Sequence, residues 1–183
     1  IKYNSPAFLD TARWLSGRLE NVRFVVPAVN EKMHDRLSTL ISEEYSDLNV
    51  QLVLKRSREV MAISDAILIA SGTATLEALL MGTPMVVGYK AGWLSYQIFS
   101  RMIDLDLYSL PNILAGEELV PEFIQERMQP TLAGEAILKT LQDAEYRQWQ
   151  QQRFSEIHQS LNLDANELAA DAVLDLLHQS RAR

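Results

Sequence analysis

Asp65-Ala-Ile-Leu-Ile-Ala-Ser-Gly-Thr-Ala-Thr-Leu-Glu-Ala-Leu-Leu-Met-Gly-Thr-Pro-Met-Val-Val-Gly88 reads as a buried strand, a tight glycine turn, a helix, a glycine stop and a second buried strand. Ala66 to Ala70 is a continuous apolar run, as a parallel strand covered on both faces requires. Ser71-Gly-Thr73 turns the chain, Ala74 to Met81 favours helix, and Gly82 with Pro84 ends it before the apolar stretch from Pro84 to Val87. Such a unit aims backbone N–H groups and hydroxyls at whatever lies beyond the strand ends. With Glu77 in the early turns of the helix, it reads as a cradle for phosphate and ribose.

Outward from this stretch, helix and strand alternate. Residues 5–19 carry Phe8, Leu9, Ala12, Leu15 and Leu19 on one helical face, with Ser5 as N-cap and Pro6 in the first turn. Val22–Val29 and Val50–Leu54 read as strands, Glu31–Glu44 and Ser57–Ser64 as helices, and Trp93–Ile103 as an amphipathic helix. Tyr108–Leu114 reads as an extended piece broken by Pro111. From about Val120 onward the pattern is helical: a short segment after Pro121, one after Thr131, a long one over about Asp143–Ser160 and a last one opened by Asp164. Strands alternating with helices imply right-handed crossovers and a doubly wound parallel sheet, α/β in class. Such a sheet normally opens with a strand that sits in its middle, whereas this chain opens with a helix and without an initiating Met. The first central strand is therefore expected upstream of Ile1, and Val22–Val29 and Ala66–Ala70 are not expected to pair with each other.

Composition excludes several classes. A chain of 183 residues, 48% hydrophobic, can bury a packed core. A net charge of −7 argues against nucleic-acid binding, which needs a basic footprint. No apolar run approaches a membrane span. The absence of Cys removes any disulfide framework or thiolate metal site and suits the cytoplasm. His34, His158 and His178 are scattered and read as surface histidines.

Four motifs together resemble the lipid-A-disaccharide synthase family: Ala70-Ser-Gly-Thr-Ala-Thr-Leu-Glu77, Pro84-Met-Val-Val-Gly-Tyr89, Ser109-Leu-Pro-Asn-Ile-Leu-Ala-Gly116 and Val120-Pro-Glu-Phe-Ile-Gln125. They occur in family order and spacing, and weaker similarity covers nearly the whole chain. The resemblance implies a GT-B glycosyltransferase with a Rossmann-like nucleotide half. It implies transfer of 2,3-diacylglucosamine from UDP to 2,3-diacylglucosamine 1-phosphate, giving a disaccharide phosphate and UDP, without a metal or other cofactor. It places the Pro-Gly-Ser-Arg phosphate loop just upstream of Ile1. The acceptor pocket and the aspartate base belong to a preceding half, so the chain alone is expected not to turn over. Residues 1–141 are then the UDP-sugar-binding domain. Residues 142–183 are helices packed on the preceding half or on a partner subunit, in a homodimer that exchanges C-terminal helices. The apolar rows Leu168, Ala172, Leu176 and Ala169, Val173, Leu177 on the last helix suit that expectation. Where the family has Asp-Gly, this chain has Leu54-Lys55, which puts the local loop conformation and any contact there in question.

The candidate residues carry plainer readings as well. Ser71, Gly72, Thr73, Ala74 and Thr75 suit turn and cap chemistry as much as a diphosphate cradle. Glu77 is no capping-box acid, because Ala74 three residues earlier cannot cap; its carboxylate can accept both ribose hydroxyls. Pro111 and Asn112 are turn residues by local chemistry; the resemblance makes Asn112 a catalytic or substrate-contacting group. Glu122 and Gln125, on one face of the expected short helix, face either solvent or the cleft. Lys55, Arg56 and Arg58 form a solvated basic loop or an anion contact. Lys90, with Trp93, Tyr96, Phe99, Met102 and Ile103, marks core packing or a membrane-facing patch for acylated substrates. Asp104-Leu-Asp106 follows a helix and does not resemble a metal clamp. Rival functions are a different UDP-sugar enzyme of the same architecture, such as a 2-epimerase, and a non-catalytic nucleotide-binding module.

Overall fold

The computed structural model describes residues 3–70, 72–90 and 107–161. Its elements run α1 (Asn4–Ser16), β1 (Phe24–Ala28), α2 (Glu31–Glu44), β2 (Val50–Leu54), α3 (Ser57–Ile63), β3 (Ile67–Ile69), α4 (Thr73–Leu80), β4 (Met85–Tyr89), α5 (Leu110–Ala115), β5 (Glu122–Ile124), a 3-10 turn (Gln125–Arg127), α6 (Pro130–Gln142) and α7 (Ala144–Leu161). All strand pairings among the described residues are parallel, β1 with β2 in one sheet and β3-β4-β5 in a second.

The α/β class follows from how β4 alternates. Met85 and Val87 point to one face, where they join Ile69, Leu79, Leu119, Phe154 and Ile157. Val86 points to the other, among Ala7, Leu15, Phe123, Met128, Ala133 and Ile137. A strand buried on both faces needs helices on both faces. Here α4 and α7 cover one side and α1 and α6 the other, which makes the unit doubly wound. Close approach of α1 and α6 depends on Gly134, where a Cβ would lie 2.3 Å from the Trp14 ring. A third cluster, Leu9, Ala12, Tyr45 and Leu48, joins α1 to α2.

As expected, β1 and β3 are not hydrogen-bonded neighbours. The N–H of Phe24 donates to Asn49 and the carbonyl of Ala28 accepts from Lys55, so the even residues of β1 face β2. Val25 and Pro27 therefore face the other edge, where Pro27 has no N–H to leave unpaired.

Several sequence expectations need correction. Tyr108–Leu114 is not extended: Leu110–Ala115 is helical, because Pro111 sits in the first turn, where its missing N–H costs nothing, and Gly116 ends the helix at φ 69°. The segment after Pro121 is not a helix. Glu122–Ile124 is a strand paired with Val87–Tyr89, a non-local partnership that no local pattern reveals. Ser5 is not the cap of α1, which begins at Asn4 after Tyr3 without a side-chain cap. Instead the Asn4 carboxamide accepts from the Lys90 N–H at 2.6 Å. One face of α7 packs on this unit's own core, where Phe154 and Ile157 lie beside β4. Gln150, fully buried, accepts from Met85 N and donates to the Leu119 carbonyl. The last helix expected from Asp164, with its proposed exchange between subunits, lies outside the described residues. So do Ser71, Trp93–Ile103 and Asp104-Leu-Asp106.

Candidate functional site

The β3–α4 turn is built around Gly72, at φ 145° and ψ −167°. That conformation is essentially restricted to glycine. Space is not the reason, since a Cβ there would meet nothing within 4 Å. Gly72 and Thr73 are exposed at the start of α4, where the Thr75 N–H closes on the Gly72 carbonyl at 3.1 Å. Thr75 is fully buried, and its hydroxyl donates to the Gly72 carbonyl at 2.7 Å. It therefore fixes the turn from inside, and its hydroxyl is not presented to a ligand as the sequence reading allowed. Ala74 likewise packs against the core.

Glu77 stands one turn further along α4 with its side chain 41% exposed. It has one ionic partner among the described residues: Arg58 Nε lies 3.4 Å from Oε2. The sequence suggested neither that pair nor its geometry, since 19 residues separate the two on different helices. Arg58 belongs to the first turn of α3, whose entry loop is shaped by Lys55 at φ 56°. The Lys55 N–H donates to the Ala28 carbonyl at 2.8 Å. Lys55 thus holds the left-handed conformation that glycine adopts freely, at the position where the family pattern has glycine. The loop leads into α3, which sets Arg58 beside Glu77; Lys55 and Arg56 precede it as exposed residues.

A second constellation lies at β5 and is buried. The Glu122 carboxylate, 7% exposed, accepts from Ser109 N at 2.7 Å, Tyr108 N at 2.9 Å and Asn112 Nδ2 at 2.8 Å. Asn112, fully buried, also donates to the Val120 carbonyl and accepts from Leu119 N and Val120 N, each at 2.8 Å. Every hydrogen-bonding position of its carboxamide is taken. Asn112 thus has no unspent polar position in this structure, and Glu122, expected on a helix face, lies in a strand instead. Together they tie the start of α5 to β5. Pro111 is buried beside them. The Ser109 hydroxyl is buried there without a partner among the described residues. Gln125, 8% exposed, leaves the strand at φ 54° and starts the 3-10 turn that closes on Met128 N. Lys90 follows β4, half-buried, its N–H held by Asn4.

Among the described residues no group of three or more His, Asp or Glu could hold a metal ion, and no helix is long and apolar enough to cross a membrane.

Comparison with known proteins agrees with the motif reading. Residues 1–175 match the family described as lipid-A-disaccharide synthetase. The chain is 43% identical over 176 residues to a lipid-A-disaccharide synthase of Hahella chejuensis, covering 96% of this chain and 44% of that protein. It is 40% identical over 176 residues to one from Enterobacter sp. (strain 638), covering 96% and 46%. It is 38% identical over 180 residues to lipid-A-disaccharide synthase 2 of Legionella pneumophila (strain Paris), covering 98% and 46%. The chain thus spans a little under half the length of these relatives.

Proposed function

The chain belongs to the lipid-A-disaccharide synthetase family, and from that premise we propose that it is the donor-nucleotide half of a glycosyltransferase. The reaction joins UDP-2,3-diacylglucosamine to 2,3-diacylglucosamine 1-phosphate, releasing UDP. The supporting observation is the glycine-only turn at Gly72, which opens the start of α4 beside an exposed carboxylate and a cationic loop. The diphosphate lies against the N–H groups of the first turn of α4, with Gly72 permitting close approach. The Glu77 carboxylate accepts from the two ribose hydroxyls. The attacking hydroxyl of the acceptor needs a base, which these residues do not supply. Negative charge building on the departing UDP is met by helix N–H groups and by Lys55, Arg56 or Arg58, without a resident metal. The buried Asn112–Glu122 pair shapes the neighbouring wall and acts by positioning. Because the substrates carry acyl chains, the enzyme works at a membrane surface, and Lys90 stands at the start of the segment we assign to that contact.

Calorimetric titration with UDP and uridine tests the reading. Glu77→Gln keeps size and one neutral acceptor but loses the charge, so UDP binding weakens by roughly 1–2 kcal/mol, about five- to thirty-fold. Uridine weakens with it, and the melting temperature stays within about 2 °C, because an exposed ion pair contributes little. Unchanged affinities for both ligands sink the ribose assignment.

A further inference from the structure

Arg58 touches Glu77 through Nε alone, at 3.4 Å, with its side chain 77% exposed. Neither Nη group has a partner among the described residues. A contact this long and this exposed does little for the fold. Its position matters more, because the cation sits on one of the two carboxylate oxygens that a ribose diol requires. A nucleoside that engages both oxygens competes with it. A nucleoside diphosphate competes too, but brings a better partner: a phosphate oxygen pair matches the guanidinium fork and carries more charge than one carboxylate. Both free Nη groups are available for that fork without rebuilding α3.

We propose that Arg58 is a transferable counter-ion, paired with Glu77 in the empty site and with the diphosphate in the filled one. The transfer frees Glu77 for the ribose only when a diphosphate arrives to take the cation. Arg58 thereby couples recognition of the two parts of the donor and sets the preference for a nucleoside diphosphate over the bare nucleoside. This rests on the UDP reading above and adds to it a specificity-determining residue that acts through both ligands of the site. Lys55 and Arg56 add positive charge nearby, and among the described residues neither shares a hydrogen bond or ion pair with Glu77.

The test titrates UDP and uridine into the protein and into its Arg58→Gln, Arg58→Lys and Glu77→Gln variants, with a thermal melt of each. Arg58→Gln should weaken UDP about tenfold and tighten uridine about twofold, so the preference for UDP falls about twentyfold. Arg58→Lys keeps the charge and should restore UDP to within about threefold of the parent. If Arg58→Gln changes UDP and uridine by the same factor, or changes neither, while Glu77→Gln weakens both, the transfer is wrong and the ribose reading stands. If Glu77→Gln leaves both affinities unchanged, the ribose reading falls and the transfer with it.

Discussion

Two carboxylates flank β4, one on the helix that follows β3 and one in β5, and they are used in opposite ways. Glu77 follows β3, is exposed, and touches one cation at the limit of hydrogen bonding. Glu122 lies in β5, is buried, and accepts three N–H groups at 2.7–2.9 Å. A buried carboxylate survives only when its lone pairs are satisfied, so Glu122 is committed to the fold. An exposed carboxylate with one weak partner retains bonding capacity for a ligand. Falling within a family motif therefore does not leave a residue free for a ligand; unspent hydrogen-bonding capacity does. The same contrast separates Gly72, which strains the backbone to open a turn, from Asn112, which spends every polar atom on closing one.

The largest expected effect comes from the buried side. Asn112→Ala leaves two N–H donors, a carbonyl and part of the Glu122 carboxylate without partners. It should cost about 3–5 kcal/mol and lower the melting temperature by about 10 °C, with weaker UDP binding following from lost structure. A variant that melts like the parent yet binds UDP more weakly would return Asn112 to a direct role. On the exposed side, Gly72→Ala forces a Cβ into a glycine-only conformation at about 1–3 kcal/mol of strain. Its UDP affinity should drop by more than its stability suggests, at least about tenfold by calorimetry. A variant that melts lower but binds UDP normally would make the turn purely structural.

Smaller effects sharpen the picture. Lys55→Gly removes a left-handed strain that glycine does not carry, offset by glycine's greater unfolded-state entropy. A net gain of about 0.5–1 kcal/mol, or roughly 2 °C in a thermal melt, is expected. A loss would mean that the lysine side chain holds the loop by contacts worth more than the strain. Away from both sites, the Tyr45 hydroxyl is pushed up to about 12, first by burial and then by donating to Asp10. A raised folded pKa contributes stability below the unfolded value near 10, and that stability is lost as pH rises through the folded value. Thermal melts between pH 9 and 12 should therefore fall less steeply in Tyr45→Phe than in the parent. Parallel slopes would remove Tyr45 from the alkaline transition.

Local patterning carried most of the architecture. The bounds of α2 and β2 follow the apolar periodicity and the Asn30 cap, which accepts from Met33 N at 2.9 Å. The strand–turn–helix–strand unit around Gly72 is legible for the same reason: each of its choices is a local one, and glycine at a strained turn leaves a sequence mark. What failed to show was non-local. Pro111 reads as a breaker until it is placed in a helix's first turn, where the same ring favours the helix. Glu122-Phe-Ile124 is too short to declare itself a strand, and becomes one because β4 offers an edge.

The sequence by itself determined the family, the alternation of helix and strand, and the glycine turn before α4, since all of these are written in order, spacing and residue type. Only the tertiary structure decided which polar groups are free to act. Asn112 with Glu122, and Arg58 with Glu77, are brought together by the packing of different elements. Whether a carboxylate is consumed by three backbone and side-chain donors or left waiting beside one loose cation is a property of burial, which no linear pattern contains.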